Sequence, residues 1–217
     1  EVVKNDLRAP AYPLVTIDPY ASAWSMSDNL YDSPVRHWTG KDFPLIGVVK
    51  VDGVSYRFMG TEELEMNAIV PTSQQGDWTG RYTTEKPAGD WTSAGYDDSK
   101  WKSDRGAFGT KENEPTAKTQ WGTRNIWVRR MVNIDRDLTG IPVYLEFSND
   151  DDAVFYINGV KIHGTGTTCN KNKVVKLPDE ALAVLKQGDN IIAAECINPV
   201  GNGLLDFGLQ IPKHLET

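Results

Sequence analysis

Apolar and polar side chains alternate along several stretches in the second half of this chain. The longest is 126–134, where apolar residues recur at every second position from Ile126 to Ile134 except at Arg130. A period of two residues is typical of a half-buried β-strand. We predict one long strand there and further strands over 143–147, 191–197 and 204–211.

Two β-hairpins are predicted from the residues that separate paired β-prone runs. Asp52-Gly53 joins 47–51 to 54–59, and Asn158-Gly159 joins 153–157 to 160–163. Two-residue hairpin turns need positive φ at both positions, which Asp, Asn and Gly tolerate. Both pairs of runs are therefore expected to be antiparallel.

One short helix is predicted, from Asp179 to about Gln187, with Leu182 and Leu185 facing inward and Gly188 ending it. Many short strands with a single short helix favour a β-sandwich over a parallel α/β fold. The predicted class is therefore all-β, a jelly-roll sandwich preceded by a smaller N-terminal segment that contains the first hairpin.

The first part of the chain differs from the rest. Residues 1–70 form the predicted N-terminal segment, 71–76 look like a linker, and 77–213 form the predicted sandwich. Prolines exclude long regular elements from the N-terminal segment. They are Pro10, Pro13, Pro19, Pro34 and Pro44.

Charge and composition narrow the possible partners. The chain has 217 residues and a net charge of −7, which argues against nucleic acid and anionic membranes as partners. No stretch approaches the roughly 20 apolar residues of a membrane helix, so no membrane insertion is expected. Cys169 and Cys196 lie in unlike contexts and are predicted to be free thiols.

The sequence gives little support for a catalytic site. The three histidines, His37, His163 and His214, do not lie beside a recognisable nucleophile motif. A glycosidase needs two carboxylates at a defined separation, and no such pair can be singled out among 30 acidic residues. We therefore predict no catalytic residues in this chain.

Carbohydrate binding is the more plausible activity, since sugar sites combine aromatic faces with amides, carboxylates or arginines. Residues 121–125 precede the long strand and should lie at one end of the sandwich, an end that the loop 164–173 is expected to reach. The alternative is that Trp121 and Arg124 stack on each other as packing. The candidate ligand-binding residues are Trp78, Arg81, Tyr82, Trp121, Arg124, His163, Asn170, Asn198 and Asn202.

Two acidic motifs have different interpretations. Asp150, Asp151 and Asp152 could contribute to a structural calcium site, but adjacent residues on an extended backbone point in alternate directions, so other oxygen ligands would be needed. No other cofactor is expected. In 96–101, short Asp and Ser side chains are predicted to fix a turn that folds Trp101 over the sandwich edge.

Two sets of motifs carry a family resemblance. The first set resembles the opening of the bacterial glutaminase-like proteins of gut Bacteroidetes: Arg8–Tyr20, Ala23–Ser25, Pro34–Gly40 and Tyr56–Gly60. The second begins at Gly76–Pro87 and resembles the galactose-binding-like module of that family. Its ordered signals are 90–91, 97–101, 108–109, 125–130, 156–159, 188–194 and 206–208.

The resemblance implies a galactose-binding-like fold, an exported setting (periplasmic or cell-surface) and an accessory role. The family's large α-helical domain would hold any hydrolytic site, and this sequence does not contain it. The resemblance therefore implies no catalytic residue here, and the expected partner is either a carbohydrate or the catalytic domain of a longer chain.

Three hypotheses for function follow. The first is a non-catalytic accessory module of a glutaminase-like or glycoside-hydrolase-like protein that binds carbohydrate or positions a domain. The second is a purely structural or protein-interaction module. The third is part of an amide or glycoside hydrolase whose catalytic domain is absent here. Under the first, Trp121→Ala should abolish sugar binding.

Overall fold

The computed structural model describes residues 9–61, 65–113, 115–199 and 201–213. The chain divides into two compact units, Glu1–Leu64 and Glu65–Thr217. The prediction about His214 lies outside the described residues.

The N-terminal unit contains two small antiparallel sheets. The first has the order β1-β2-β3, and the second is the hairpin β4-β5. Asp52 and Gly53 adopt positive φ, 49° and 86°, which confirms the predicted hairpin turn. The strands are β1 Tyr12–Thr16, β2 Ser22–Ser25, β3 Arg36–His37, β4 Gly47–Val51 and β5 Val54–Met59.

Within its described residues, the second unit contains twelve strands, a 3-10 helix at Lys111–Asn113 and one α-helix, α1, at Asp179–Val184. The strands are β6 Met66–Val70, β7 Trp78–Thr83, β8 Lys102–Gly106, β9 Phe108–Gly109, β10 Thr119–Gln120, β11 Asn125–Ile134, β12 Tyr144–Asp150, β13 Asp152–Ile157, β14 Val160–Gly164, β15 Asn170–Lys176, β16 Gly188–Ile197 and β17 Leu204–Pro212.

These strands form two six-stranded sheets that enclose one core. One sheet has the order β10-β9-β17-β12-β15, with β6 also paired to β17, and the other has the order β14-β13-β16-β11-β7-β8. Phe155 of the second sheet meets Phe147 and Phe207 of the first, with ring centroids 4.9 and 5.9 Å apart. The predicted all-β jelly-roll sandwich is confirmed.

Local predictions in this unit are largely confirmed. Asn158 and Gly159 take φ values of 47° and 92° between β13 and β14, as the hairpin prediction requires. The helix begins at Asp179 as predicted but ends at Val184, because Leu185 already has an extended backbone with φ −75° and ψ 128°. Leu182 and Leu185 pack against the core.

The stretch 71–76, predicted as a linker, is instead part of the sandwich. The strand before it, β6, pairs with β17, and Thr72 is only 4% exposed. Ser73 donates through its backbone N–H and its hydroxyl to the Asp206 carboxylate, at 2.9 and 2.6 Å. The segment resembles a linker in sequence because it is polar and contains proline. Its contact partner, Asp206, lies far away along the chain, so the sequence gives no sign of the contact.

Among the described residues, no helix is long and apolar enough to cross a bilayer.

Candidate functional site

The outer face of the second sheet carries a row of paired side chains. Trp127 of β11 lies opposite Thr83 of β7 on one side and Glu195 of β16 on the other. The Trp127 indole N–H donates to one Glu195 carboxylate oxygen at 3.1 Å, and the Tyr156 hydroxyl reaches the other at 3.5 Å. A carboxylate between two aromatic groups thus lies on the face of the sheet that points away from the core.

A buried arginine fixes the segment 90–101 over this face. Arg129 is only 2% exposed and donates to the Asp98 carboxylate at 2.8 Å. It also donates to the backbone carbonyl oxygens of Trp91, Ser93 and Tyr96. Because one guanidinium has several partners along a single irregular segment, it holds that segment in one conformation.

The fixed segment presents three aromatic rings to the sheet. Trp91 packs edge-on against Tyr156 at 5.6 Å and against Trp101 at 6.4 Å, and Tyr96 packs edge-on against Trp101 at 5.8 Å. The Asp97 carboxylate accepts the Ser99 N–H at 3.0 Å, and hydrogen bonds from Ser99 lower the pKa of Asp97. The structural prediction for this turn is confirmed, since Trp101 is half-buried.

A groove of about 240 Å³ lies beside this cluster, where β7 ends and β8 begins. We call it the β7–β8 groove. Two aromatic residues, one glutamate and two lysines line it. Aromatic and polar side chains of these kinds are the ones that sugar sites combine. Its lining residues are Tyr82, Thr83, Thr84, Glu85, Lys100, Trp101 and Lys102.

Two predicted ligand residues lie in or near this groove. Tyr82 lines it, with its ring 5.1 Å from that of Phe108, and burial raises the pKa of the Tyr82 phenol. Arg81 instead pairs with Asp98 at 3.3 Å, so its guanidinium helps hold the segment 90–101. Neither position is evidence for a bound ligand, so Tyr82 and Arg81 stay candidate ligand-binding residues.

The prediction that Trp121 exposes an aromatic face is wrong, because its ring is part of the core and only 2% exposed. Its indole N–H donates to the Thr123 carbonyl oxygen at 2.5 Å. Trp78 is likewise buried, donates to Asp206 at 3.0 Å and lies 4.5 Å beneath the Arg130 guanidinium. Both tryptophans act as core residues.

Several other predicted residues meet at one end of the sandwich. The Asn198 backbone N–H donates to the Arg124 carbonyl oxygen at 2.8 Å, and Asn170 donates to Asn149 at 2.9 Å. Asn202 is exposed in the neighbouring connection between β16 and β17. The side-chain oxygen of Asn198 is buried and has no partner within the described part of the chain. This end is polar, and its predicted aromatic member, Trp121, is buried.

His163 lies at the edge of the second sheet with its ring 5.3 Å from that of Phe147. Its Nε2 is buried and has no hydrogen-bond partner among the described residues. Burial lowers the pKa of His163, and the nearby charges of Lys173 and Lys161 lower it further.

The acidic run does not assemble a metal site. Burial, followed by the charge of Asp151, raises the pKa of Asp150, whose carboxylate also lies beside the Cys169 thiol. Across the residues that the structure describes, no three His, Cys, Asp or Glu side chains form a group that could hold a metal ion. A calcium site at Asp150–Asp152 stays a prediction, and the described residues do not provide a complete set of ligands for it.

A larger cavity of about 530 Å³ lies near α1, between the segment after β11 and the helix. Its apolar wall includes Leu138, Ile141, Leu182 and Leu185, and no aromatic residue lines it. Because sugar recognition relies on ring faces, the smaller β7–β8 groove is the better candidate for a carbohydrate.

Trp127, Glu195 and Trp101 belong to the outer face of the second sheet but are not among the candidates predicted from the sequence, and Trp127 is only 5% exposed. The signal for Trp127 was present, since the alternation in 126–134 places it on the outward side of the strand. Glu195 could not be paired with Trp127 from sequence, because the register between β11 and β16 is determined by the tertiary structure. Trp101 was interpreted only as packing.

Comparison with known proteins gives a family match for the first third of the chain. Residues 1–71 match a family model described as a domain of unknown function, DUF4964. Curated protein sequences give no match.

Several solved structures are similar to the chain. Bacteroides uniformis beta-glucuronidase 2 is 16% identical, with 69% of this chain and 18% of that chain covered and a TM-score of 0.49. A beta-glucuronidase from glycoside hydrolase family 2 is 18% identical, with coverages of 70% and 18% and a TM-score of 0.49. Ruminococcus gnavus beta-glucuronidase is 12% identical, with coverages of 70% and 30% and a TM-score of 0.45. The matched region thus spans less than a third of each of these proteins.

Proposed function

We propose that this chain is a non-catalytic accessory module that binds carbohydrate weakly through the β7–β8 groove. The observation that carries the proposal is the composition of that groove. Two aromatic residues, Trp101 and Tyr82, line the same small space as Glu85. Ring faces pack on the apolar C–H surfaces of sugars, and carboxylates accept hydrogen bonds from their hydroxyl groups.

The segment 90–101 beside the groove is also held in place by contacts with the sheet, which favours a binding role over chance exposure of Trp101. The segment that supplies Trp101 is held by Arg129 and Asp98, so the ring is positioned before a ligand arrives. Preorganisation of this kind lowers the entropy cost of binding.

The accessory role completes the proposal. We infer that the module belongs to a longer, exported hydrolase of the glutaminase-like or glycoside-hydrolase-like kind and helps position its catalytic domain. The motif resemblance in 8–60 and 76–87 and the absence of a recognisable catalytic motif in the sequence support this inference. The exported setting rests on the resemblance alone.

A purely structural module is the second candidate, favoured by one specific observation. The rings of Trp91, Tyr96 and Trp101 pack on one another and on Tyr156, so part of their surface is already used within the protein. Under this alternative the groove would bind no sugar.

A glycan screen of the whole chain, followed by calorimetric titration of any hit, tests the proposal. Trp101→Ala and Glu85→Gln should each weaken binding by about tenfold, the loss of roughly one good contact. Trp38→Ala is the matched control, since Trp38 is 60% exposed in the N-terminal unit and should leave binding unchanged.

Two results would overturn the proposal. One is the absence of binding to every glycan by the folded chain, and the other is binding that survives both groove variants. Glu85 is exposed, so Glu85→Gln should fold even where Trp101→Ala does not.

A further inference from the structure

Three exposed lysines lie where β14 and β15 form the edges of the two sheets. The two strands follow each other in the chain and are joined by the connection 165–169. We call this surface the lysine strip. Its members are Lys161, Lys171 and Lys173. Lys176 is not a member, because it lies opposite Tyr144 whereas Lys173 lies opposite Phe147, and these positions project from opposite faces of the sheet.

The charge of the strip is opposite to that of the whole chain. The segment 160–176 contains four lysines and no acidic residue, whereas the chain carries a net charge of −7. Within the described part of the chain, none of the four ammonium groups takes part in an ion pair. Unpaired like charges repel one another, so an anion bound here would relieve the repulsion.

His163 shows that the two strands bring these charges together in space. It lies on β14 between the sheets, with its ring against Phe147 of β12. Lys161 of the same strand and Lys173 of β15 are both close enough to lower the pKa of its imidazole. The strip is therefore a shared surface of both sheets and not a property of one strand.

We propose that the lysine strip binds an anionic polysaccharide, one that carries carboxylate or sulfate groups. Lysines provide point charges for either group. The exposed neighbours Thr167 and Thr168 carry hydroxyl groups for the uncharged parts of a sugar.

Nucleic acid fits this surface less well. Proteins that bind single strands combine basic grooves with aromatic side chains on which bases stack. The segment 160–176 contains no Phe, Tyr or Trp.

The strip is separate from the β7–β8 groove, because β14 and β8 occupy opposite edges of the same sheet. The inference therefore does not depend on the proposed function. Edge strands also carry lysines to prevent strand-to-strand association. That role requires no ligand, so a binding measurement separates the two explanations.

The test measures binding of the whole chain to immobilised glycans at about 50 mM salt, where contacts between lysines and anionic groups are strong. One surface carries polygalacturonate, a second a sulfated glycan and a third neutral dextran. The strip variant combines Lys161→Gln, Lys171→Gln and Lys173→Gln. The control variant combines Lys86→Gln, Lys111→Gln and Lys118→Gln, which remove the same charge from exposed positions outside the strip.

We expect binding to at least one anionic glycan and none to dextran. The strip variant should lose at least about tenfold in affinity and show a shallower salt dependence, since it neutralises fewer anionic groups. The control variant should stay within about twofold of the unmodified chain, because its lysines make no such contact. Preference for polygalacturonate or for the sulfated glycan would identify the anionic group.

Three outcomes would reject the inference. The first is failure of the unmodified chain to bind either anionic glycan, and the second is a loss of affinity in the control variant as large as that in the strip variant. The third is that single-stranded DNA or polyglutamate binds as tightly and is lost in the strip variant, which would identify a different class of partner. Circular dichroism of both variants establishes that each is folded.

Discussion

The Arg129 guanidinium donates to the Asp98 carboxylate at 2.8 Å while its own side chain is only 2% exposed. Arg129 belongs to a regular strand, whereas Asp98 belongs to the irregular segment 90–101. The pair therefore fastens a segment without regular structure to the outer face of a sheet. The Arg129 guanidinium lies 5.3 Å from the ring centroid of Tyr96, which packs against Trp101.

Arg129→Met should destabilise the protein by about 3 kcal/mol, because it removes a buried charged donor from Asp98 and from several carbonyl oxygens, and Asp98 keeps only its more exposed partner Arg81. Urea unfolding of both proteins measures the change. Arg105→Met is the control, since the Arg105–Asp77 pair is exposed, at 55% and 77%, and such pairs contribute about 0–1 kcal/mol. Equal losses in the two variants would contradict the anchoring role.

Gly208→Ala tests the packing of residues 70–72 on β17. A Cβ atom at Gly208 would lie 2.3 Å from the Val70 carbonyl oxygen and 2.9 Å from the Thr72 backbone nitrogen. Neither backbone atom can move away without disrupting β6, so we expect a loss of about 1–3 kcal/mol in unfolding free energy.

The control for this prediction is Gly122→Ala, where a Cβ atom would meet nothing within 4 Å. It should change the free energy of unfolding by less than about 0.5 kcal/mol. A neutral Gly208→Ala would mean that residues 70–72 behave as the flexible linker that the sequence suggests.

Local signals were enough to predict the parts of the fold that depend on neighbouring residues. Asp52-Gly53 and Asn158-Gly159 specify their turns through their own backbone preferences, and both hairpins form. The contact between Ser73 and Asp206 spans 133 positions, so a local sequence pattern carries no sign of it. For the same reason the candidate site was predicted only in part, since the register that brings Glu195 to Trp127 arises from the whole sheet.

Trp121→Ala should unfold the sandwich and not selectively abolish binding. The ring is 2% exposed within the main core, and removal of a buried tryptophan side chain costs about 3–5 kcal/mol. Thermal unfolding should show a large fall in Tm, whereas the folded fraction should retain its glycan affinity. Selective loss of affinity at unchanged Tm would return Trp121 to the binding site.

The two cysteines should differ in reactivity. Both are free, but Cys169 is exposed and Cys196 is buried. A chromogenic disulfide reagent should modify one thiol per native chain and two in urea. Burial and the charges of Asp150 and Asp151 raise the pKa of Cys169, so its reaction should be slower than that of an unperturbed thiol at the same pH. Modification of both thiols in the native chain would contradict the buried position of Cys196.

The buried thiol also predicts a loss of stability at alkaline pH. Burial raises the pKa of Cys196 to about 12, whereas the unfolded chain titrates near its ordinary value of about 8.5. Between these values the folded state keeps a proton that the unfolded state has lost, so this contribution to stability is complete below about pH 8.5 and falls as pH rises. From about pH 7 to about pH 10 the loss should be about 2 kcal/mol. Cys196→Ala lacks this titration, so its stability difference from the unmodified protein should narrow over the same interval in urea unfolding. A difference that stays constant with pH would show that the Cys196 thiol is not held in its neutral form by burial.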